Sequence, residues 1–312
     1  MCGPKRPRIH HRQALVLHHR ALPDRQHLLR LHAPWIAATA APGQFVHVLC
    51  DPGLTLPRPF SILDADPVAG SLDLLYRVVG LGTAAMAAWP EAKMIPLAGP
   101  SGQPFSPIDA GQPVLLLAGG VGLAPLDFFA RRASAQGARV TLLLGTESTP
   151  PFALVTSRFS LPGVPDAVYL ALAHLEHSGV ASRLATLRST PGYFPGYVTD
   201  LAEALLRDMN PALRAHLRVL ACGPPAMLLA TARLAERFAL AGEVSLEAHM
   251  ACGFGGCAGC AVPMLGQGDA TVTERTTEDE EEKASWHYQR ACVDGPVFDV
   301  KKVAWSQMAQ QM

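Results

Sequence analysis

The chain has 312 residues, 49% of them apolar and 17% charged, and its 26 basic side chains balance its 26 acidic ones. That length holds two or three domains, each with a core of its own, and zero formal net charge leaves no electrostatic case for a nucleic-acid partner. Seven cysteines, an odd number with no secretory context around them, argue against a disulfide framework and make the reducing cytoplasm the expected compartment.

The first 32 residues are locally basic, with Lys5, Arg6, Arg8, Arg12, Arg20, Arg25 and Arg30 against Asp24 alone. No apolar stretch of signal-peptide length follows them, so they read as an extension into the first strands. Between 13 and 97 come short strands parted by Pro and Gly turns, at 13–18, 26–32, 44–50, 61–64 and 71–79, with a helical pattern only at 83–89. Strands at this spacing predict a small antiparallel barrel. Two motifs in it suit a flavin dinucleotide, whose pyrophosphate needs cations or helix N-termini and whose ring nitrogen needs a hydrogen-bonding neighbour. They are Arg58-Pro59-Phe60-Ser61, with a guanidinium and a hydroxyl, and Leu75-Tyr76-Arg77 followed by Gly80-Leu81-Gly82-Thr83, with a second guanidinium and the backbone at Gly82 and Thr83. Taken singly, an arginine at a strand end is more often a surface charge, and Gly-x-Gly-Thr more often a turn.

From 113 onward strands and helices alternate. The strand 114–117 runs through Gly119-Gly120-Val121-Gly122 into a helix near Pro125, strands follow at 139–144, 167–171 and 217–221, and helices at 199–208 and 225–238. This rhythm predicts a parallel sheet covered by helices, the doubly wound architecture that holds nucleotides at its carboxyl edge. The apolar run 114–129 contains Gly119, Gly120, Gly122, Pro125 and Asp127, and so reads as strand, turn and helix rather than a membrane span. Its glycine turn departs from G-x-G-x-x-G, and a tight strand-to-helix connection explains it as well as a dinucleotide does. Cys222-Gly223-Pro224-Pro225 ends another strand and opens a helix, with Cys222 either facing a nicotinamide or packed under the turn.

The C-terminal part carries Cys252-x4-Cys257-x2-Cys260, with Cys292 after 31 further residues, and four glycines lie between the first three cysteines. Plant-type two-iron clusters take thiolates at this C-x4-C-x2-C…C spacing, and glycines bring backbone N–H groups close to the sulfurs. Structural zinc would use the same four thiolates, but usually in two C-x2-C pairs, and here only Cys257 and Cys260 have that spacing. His249 reads as a bystander. The acidic run at 278–282, between Cys260 and Cys292, reads as a solvated loop. No Ser-His-Asp order or paired-carboxylate constellation stands out, so no catalytic side chain is assigned and the chemistry belongs to cofactors. The expected division is 1–108 for the flavin barrel, 109–243 for the nucleotide-binding α/β domain and 244–312 for the iron-sulfur segment.

The barrel motif, glycine turn, Cys-Gly-Pro-Pro element and cysteine loop, in this order, closely resemble the electron-transfer subunits of NAD-dependent dihydroorotate dehydrogenase, within the ferredoxin-NADP reductase superfamily. The resemblance runs from 13 to 298. It is carried by Arg58-Pro59-Phe60-Ser61, the stretches 76–83 and 117–126, the loop from Met250 to Cys260, and the stretch 290–298 around Cys292. It implies FAD at Arg58, Pro59, Phe60, Ser61, Leu75, Tyr76, Arg77, Gly82 and Thr83, and NAD at Gly119, Gly120, Gly122, Cys222, Gly223 and Pro224. It implies a 2Fe-2S cluster on Cys252, Cys257, Cys260 and Cys292, facing a separate FMN-bearing catalytic subunit in an assembly of two copies of each chain. Dihydroorotate would be oxidised to orotate on that other chain, in pyrimidine biosynthesis, with electrons passing singly through the cluster to FAD and on to NAD. No membrane partner is expected.

Three features depart from the family: Phe60 where the superfamily often has Tyr, a longer gap before Cys292, and the N-terminal extension. The nearest rival is a flavoprotein subunit exchanging electrons between NAD(P)H and ferredoxin, as in sulfide dehydrogenase-like complexes, where the first cluster ligand is often Asp rather than a residue like Cys252. A rival of another class is a zinc-stabilised interaction module on an inactive reductase fold.

Overall fold

The computed structural model describes residues 9–266 and 286–309, so residues 1–8 and the acidic run at 278–282 lie outside the described residues. The first half contains β1 (His10–Leu22), β2 (Gln26–His32), α1 (Pro34–Ala37), β3 (Phe45–Val48), β4 (Arg58–Asp66), β5 (Ser71–Arg77), α2 (Leu81–Ala87) and β6 (Met94–Ser101). Its strands close into an antiparallel barrel in the order β1-β2-β5-β4-β3-β6, as the spacing of short strands predicts. Alternation along each strand builds the core. On β5, Leu72, Leu74 and Tyr76 point inward, while Leu75 packs outside and Asp73 bonds Arg30 at 2.7 Å.

Two strands differ from expectation. β1 has 13 residues because its first part, to Leu15, pairs with β6 and the remainder with β2, the register shifting between Val16 and His18. β6 is not among the expected strands, since Pro96, Gly99 and Pro100 read as turn residues. Pairing on both flanks, with β1 and β3, holds it in the barrel wall.

The second half contains β7 (Pro113–Gly119), α3 (Leu123–Ala135), β8 (Arg139–Gly145), β9 (Leu154–Thr156), β10 (Leu170–Leu172), α4 (Ala173–His177), β11 (Ala181–Thr186), β12 (Phe194–Pro195), α5 (Val198–Asp208), α6 (Pro211–Arg214), β13 (Arg218–Cys222), α7 (Pro225–Arg237) and β14 (Ala241–Ser245). After them come β15 (Ala261–Leu265), β16 (Trp286–Arg290), β17 (Val297–Asp299) and α8 (Trp305–Ala309). A seven-stranded sheet runs β12-β11-β8-β7-β13-β14-β17, parallel except for β17, and β15 pairs with β16 as a separate ribbon. The C-terminal segment is therefore joined to the sheet through β17, where Phe298 lies opposite Val244.

The strand expected at 167–171 is a correction. Residues 170–172 form β10, which pairs antiparallel with β9 outside the main sheet, and the third parallel strand is β11. Ser182 and Arg183 hide β11 from an apolar pattern, yet both are buried with partners: Ser182 Oγ accepts from Leu172 N–H at 2.9 Å, and Arg183 donates to the Ser182 carbonyl at 2.7 Å. The halves are clamped by α3, whose Arg131 reaches Asp64 on β4 at 2.9 Å and Asp127 on its own helix at 2.8 Å. Among the described residues no helix is long and apolar enough to cross a membrane.

Candidate cofactor sites

Strand alternation on β3 and β4 creates a shared outer face. Val46, Val48, Phe60 and Ile62 fill the barrel, whereas Phe45 and His47 turn outward, opposite Ser61 and Pro59 in the register. This places Pro59 and Ser61 of the flavin motif beside Phe45 and His47. Arg58 is exposed at the start of β4, where Nη1 donates to the Leu56 carbonyl at 3.0 Å. Arg77 stands at the end of β5, and its Nη2 donates to Ser148 Oγ at 2.8 Å in the loop after β8, while its buried Nε has no protein partner. Two guanidiniums thus stand at neighbouring strand ends, one at the start of β4 and one at the end of β5.

Other residues of the two motifs sit deeper. Phe60 and Tyr76 are both buried in the barrel core, ring edge to ring face at 5.7 Å. Tyr76 also stacks on His27 at 5.2 Å and bonds His19 Nε2 through its hydroxyl at 2.9 Å. Burial pushes the Tyr76 hydroxyl well above the ordinary tyrosine range, and burial together with His19 pushes His27 down. Leu75 packs outside the barrel with Leu63 and Ala124. The Thr83 hydroxyl accepts from the Val79 and Gly80 N–H groups, at 2.9 and 3.1 Å, so it is spent on starting α2. Gly82 packs on Cys50, and just before it in the chain Val79 and Leu81 are 78% and 82% exposed.

At the sheet, β7 and β13 are neighbours, with Ala118 beside Cys222, so their turns touch at the carboxyl edge. A β-carbon on Gly122 would stand 2.3 Å from the Cys222 carbonyl oxygen, and one on Gly119 2.6 Å from Pro224 Cδ. These glycines, with Gly223 whose β-carbon would be 2.9 Å from Gly119 Cα, let two backbones approach each other. Gly120 is different: φ is +55° and no atom lies within 4 Å of its β-position, so it faces open space. Cys222 packs under the turn at 2% exposure, and burial pushes its thiol up to about 12.

The four cysteines of the motif are free thiols that lie as two hydrogen-bonded pairs, Cys252 beside Cys257 and Cys292 beside Cys260. Cys257 is exposed and Cys252 half-buried, whereas Cys260 and Cys292 are 3% and 1% exposed. Backbone N–H groups point at the outer pair, Gly256 to Cys252 Sγ at 3.3 Å and Gly259 to Cys257 Sγ at 3.4 Å. Burial alone would raise the Cys252 thiol, but bonds from the Phe254, Cys257 and Gly256 backbone and the Cys257 thiol outweigh it and bring it down to about 6. Burial, with Cys260 beside it, pushes Cys292 up to about 12. Among the described residues no three His, Cys, Asp or Glu side chains converge on one ion position. Two adjacent pairs match the two thiolates that each iron of a 2Fe-2S cluster takes, and so the donor set fits that group.

Several residues that hold these sites carry no sequence signal. Gln103 N–H donates to the Gly295 carbonyl at 2.6 Å and its side chain to the Val293 carbonyl at 3.0 Å, tying the end of β6 to the segment after Cys292. Arg290 donates to the Gly255 carbonyl at 3.0 Å, closing that segment on the cysteine loop. His47 lies under Gly253 of the same loop, and its desolvated ring is pushed down to about 4. A cavity of about 260 Å³ between the 157–169 segment and Arg183 is elsewhere, and none of the residues named from the sequence as site residues lines it.

Residues 247–304 match the family described as the iron-sulfur cluster binding domain of dihydroorotate dehydrogenase B. Over 280 residues, 88% of this chain and 91% of the relative, the sequence is 33% identical to the dihydroorotate dehydrogenase B (NAD(+)) electron transfer subunit of Shouchella clausii. The corresponding subunit of Bacillus cereus strain Q1 is 31% identical, over 84% of this chain and 86% of that relative. A solved structure of an NADH-dependent reduced ferredoxin-NADP oxidoreductase, 24% identical, shares the fold with a TM-score of 0.73 over 95% of this chain and 91% of its own. The chain belongs to the family of dihydroorotate dehydrogenase B (NAD(+)) electron transfer subunits.

Proposed function

We propose that this chain is an electron-transfer oxidoreductase subunit that passes electrons from a dihydroorotate-oxidising partner to NAD, in pyrimidine biosynthesis. The observation that carries the reading is the meeting of the paired thiols and the flavin-motif face at one place, where Gly253 of the cysteine loop rests on His47 opposite Pro59. When bound, the 2Fe-2S cluster and FAD supply one-electron and paired-electron chemistry respectively. Cys252, Cys257, Cys260 and Cys292 hold the cluster. Arg58 and Arg77 would neutralise the flavin pyrophosphate, Pro59 and Ser61 would border its ring, and the Gly82 and Thr83 backbone would face it, while Phe60, Leu75 and Tyr76 support the strands beneath. The turns at Gly119–Gly120–Gly122 and Cys222–Gly223–Pro224 receive NAD at the sheet edge, with Gly120 giving the closest open approach.

The partner carries FMN and pairs with this chain as two copies of each. It docks on the cysteine face, where Phe254, Trp286 and Tyr288 are 62%, 41% and 54% exposed. Exposed aromatics in the cysteine loop and on the strand that leads to Cys292 suit an interface core better than a free surface. The division into a flavin unit at 1–108, a nucleotide unit at 109–243 and a cluster unit at 244–312 belongs to the same proposal. The test is to purify the chain with its catalytic partner, record flavin and iron-sulfur absorption, and add NADH or dihydroorotate anaerobically. Bleaching by both is expected. Bleaching by NADH alone would overturn the dihydroorotate assignment and leave an NAD(P)H-ferredoxin type reductase, and a colourless zinc protein would overturn both.

A further inference from the structure

His47 is 5% exposed, and its Nε2 has no hydrogen-bond partner. A buried donor or acceptor left unpaired is destabilising, and an apolar side chain in the same place would fill the seam without that penalty. The nitrogen is therefore free to bond a group held by the loop it faces. Two elements face the ring. On the sheet, His47 lies opposite Pro59 and next to Ala98, with the Phe45 ring edge-on at 5.1 Å. Across the seam stands Gly253, the residue after Cys252: a β-carbon there would be 2.1 Å from Cε1, 2.3 Å from Nε2 and 2.7 Å from Nδ1. The nitrogen-bearing edge of the imidazole is thus turned toward the cysteine loop, away from the barrel interior filled by Val46 and Val48.

We propose that His47 contacts the cluster and tunes it: with the neutral ring protonated on Nε2, it donates a hydrogen bond to a sulfur of the group held by the Cys252–Cys257 loop and raises its reduction potential. The proposal rests on the iron-sulfur reading above. Hydrogen bonds to cluster sulfurs favour the more negative, reduced form, and so move the potential upward. No proton changes hands in this role. The imidazole stays neutral throughout.

The experiment uses the reconstituted, dithionite-reduced full chain with isotopically labelled histidine. Pulsed EPR of the reduced cluster is expected to show a weak coupling to one histidine nitrogen, kept in His249→Gln and lost in His47→Phe. In an EPR-monitored redox titration, His47→Phe should shift the cluster midpoint to more negative potential with iron and sulfide content unchanged, and His47→Gln, which retains an N–H donor, should recover part of the shift. A wild-type cluster with no histidine coupling overturns the proposal whatever the variants do, as does a His47→Phe cluster with the wild-type midpoint. Failure of the wild-type chain to bind any 2Fe-2S cluster overturns the cofactor reading itself, and this proposal with it; a normal cluster lacking the coupling overturns this proposal alone.

Discussion

Gly253 rests against the imidazole edge of His47, so closely that a β-carbon would come within 2.1 Å of His47 Cε1. Gly253 also has φ of +74°, in the left-handed region that side chains with a β-carbon resist. Two independent constraints therefore demand glycine next to Cys252, and one of them comes from a barrel strand far earlier in the chain. The position of the first thiol depends on the seating of this loop.

Gly253→Ala should cost about 2–4 kcal/mol, from backbone strain together with overpacking against the ring. Urea titration should show the lower midpoint, and iron analysis should show weakened cluster retention. Full iron with an unchanged midpoint would mean that the ring yields freely.

The depressed His47 ring makes stability depend on pH in a defined direction. Its folded value of about 4 lies below the ordinary 6.5, so the unfolded chain takes up a proton that the folded one refuses. The contribution is complete above about pH 6.5, shrinks as pH falls, and is lost below about pH 4, a total of about 3 kcal/mol. The stability difference between wild type and His47→Leu, measured by denaturant unfolding across that window, should move against the wild type by this amount as the solution is acidified.

Cys257→Ser removes an exposed thiol whose pair partner is Cys252, so the fold should change by less than about 0.5 kcal/mol while the cluster is lost. Iron and sulfide should fall to near zero and flavin absorption should remain. A full complement of iron and sulfide in this variant would mean a different ligand set.

The glycines of the nucleotide turn separate by role. Gly122→Ala drives a methyl toward the Cys222 carbonyl 2.3 Å away and should destabilise by about 2–4 kcal/mol. Gly120→Asn meets open space, and asparagine tolerates the left-handed conformation, so stability should fall by less than about 1 kcal/mol. NADH titration of the second variant should nevertheless show weaker binding, because the new side chain occupies the approach to the turn. Unchanged affinity would place the dinucleotide elsewhere.

Much of the architecture was legible because it rests on local patterns. The strand at 26–32 and the helix starting at Pro225 follow directly from alternation and from proline at a first turn. β6 was obscured by Pro96, Gly99 and Pro100, and β11 by Ser182 and Arg183, because their strand character comes from neighbours on both sides rather than from their own residues. The motif Arg58-Pro59-Phe60-Ser61 was visible, but which of its members face the barrel interior was not: Phe60 turns in and Pro59 and Ser61 turn out, a consequence of register with β3.

The sequence by itself determined the donor chemistry: thiols at Cys252, Cys257 and Cys260 in one glycine-rich loop, two arginine-bearing barrel motifs, and glycine turns after apolar strands. Those are short-range properties, carried by residues a few positions apart. Only the tertiary structure decided how the thiols pair, that Cys292 joins Cys260 in a buried position, and that His47 lies under Gly253. Such contacts join segments distant in the chain, and their energies depend on packing and desolvation that exist only once the barrel, the sheet and the cysteine loop have closed on one another.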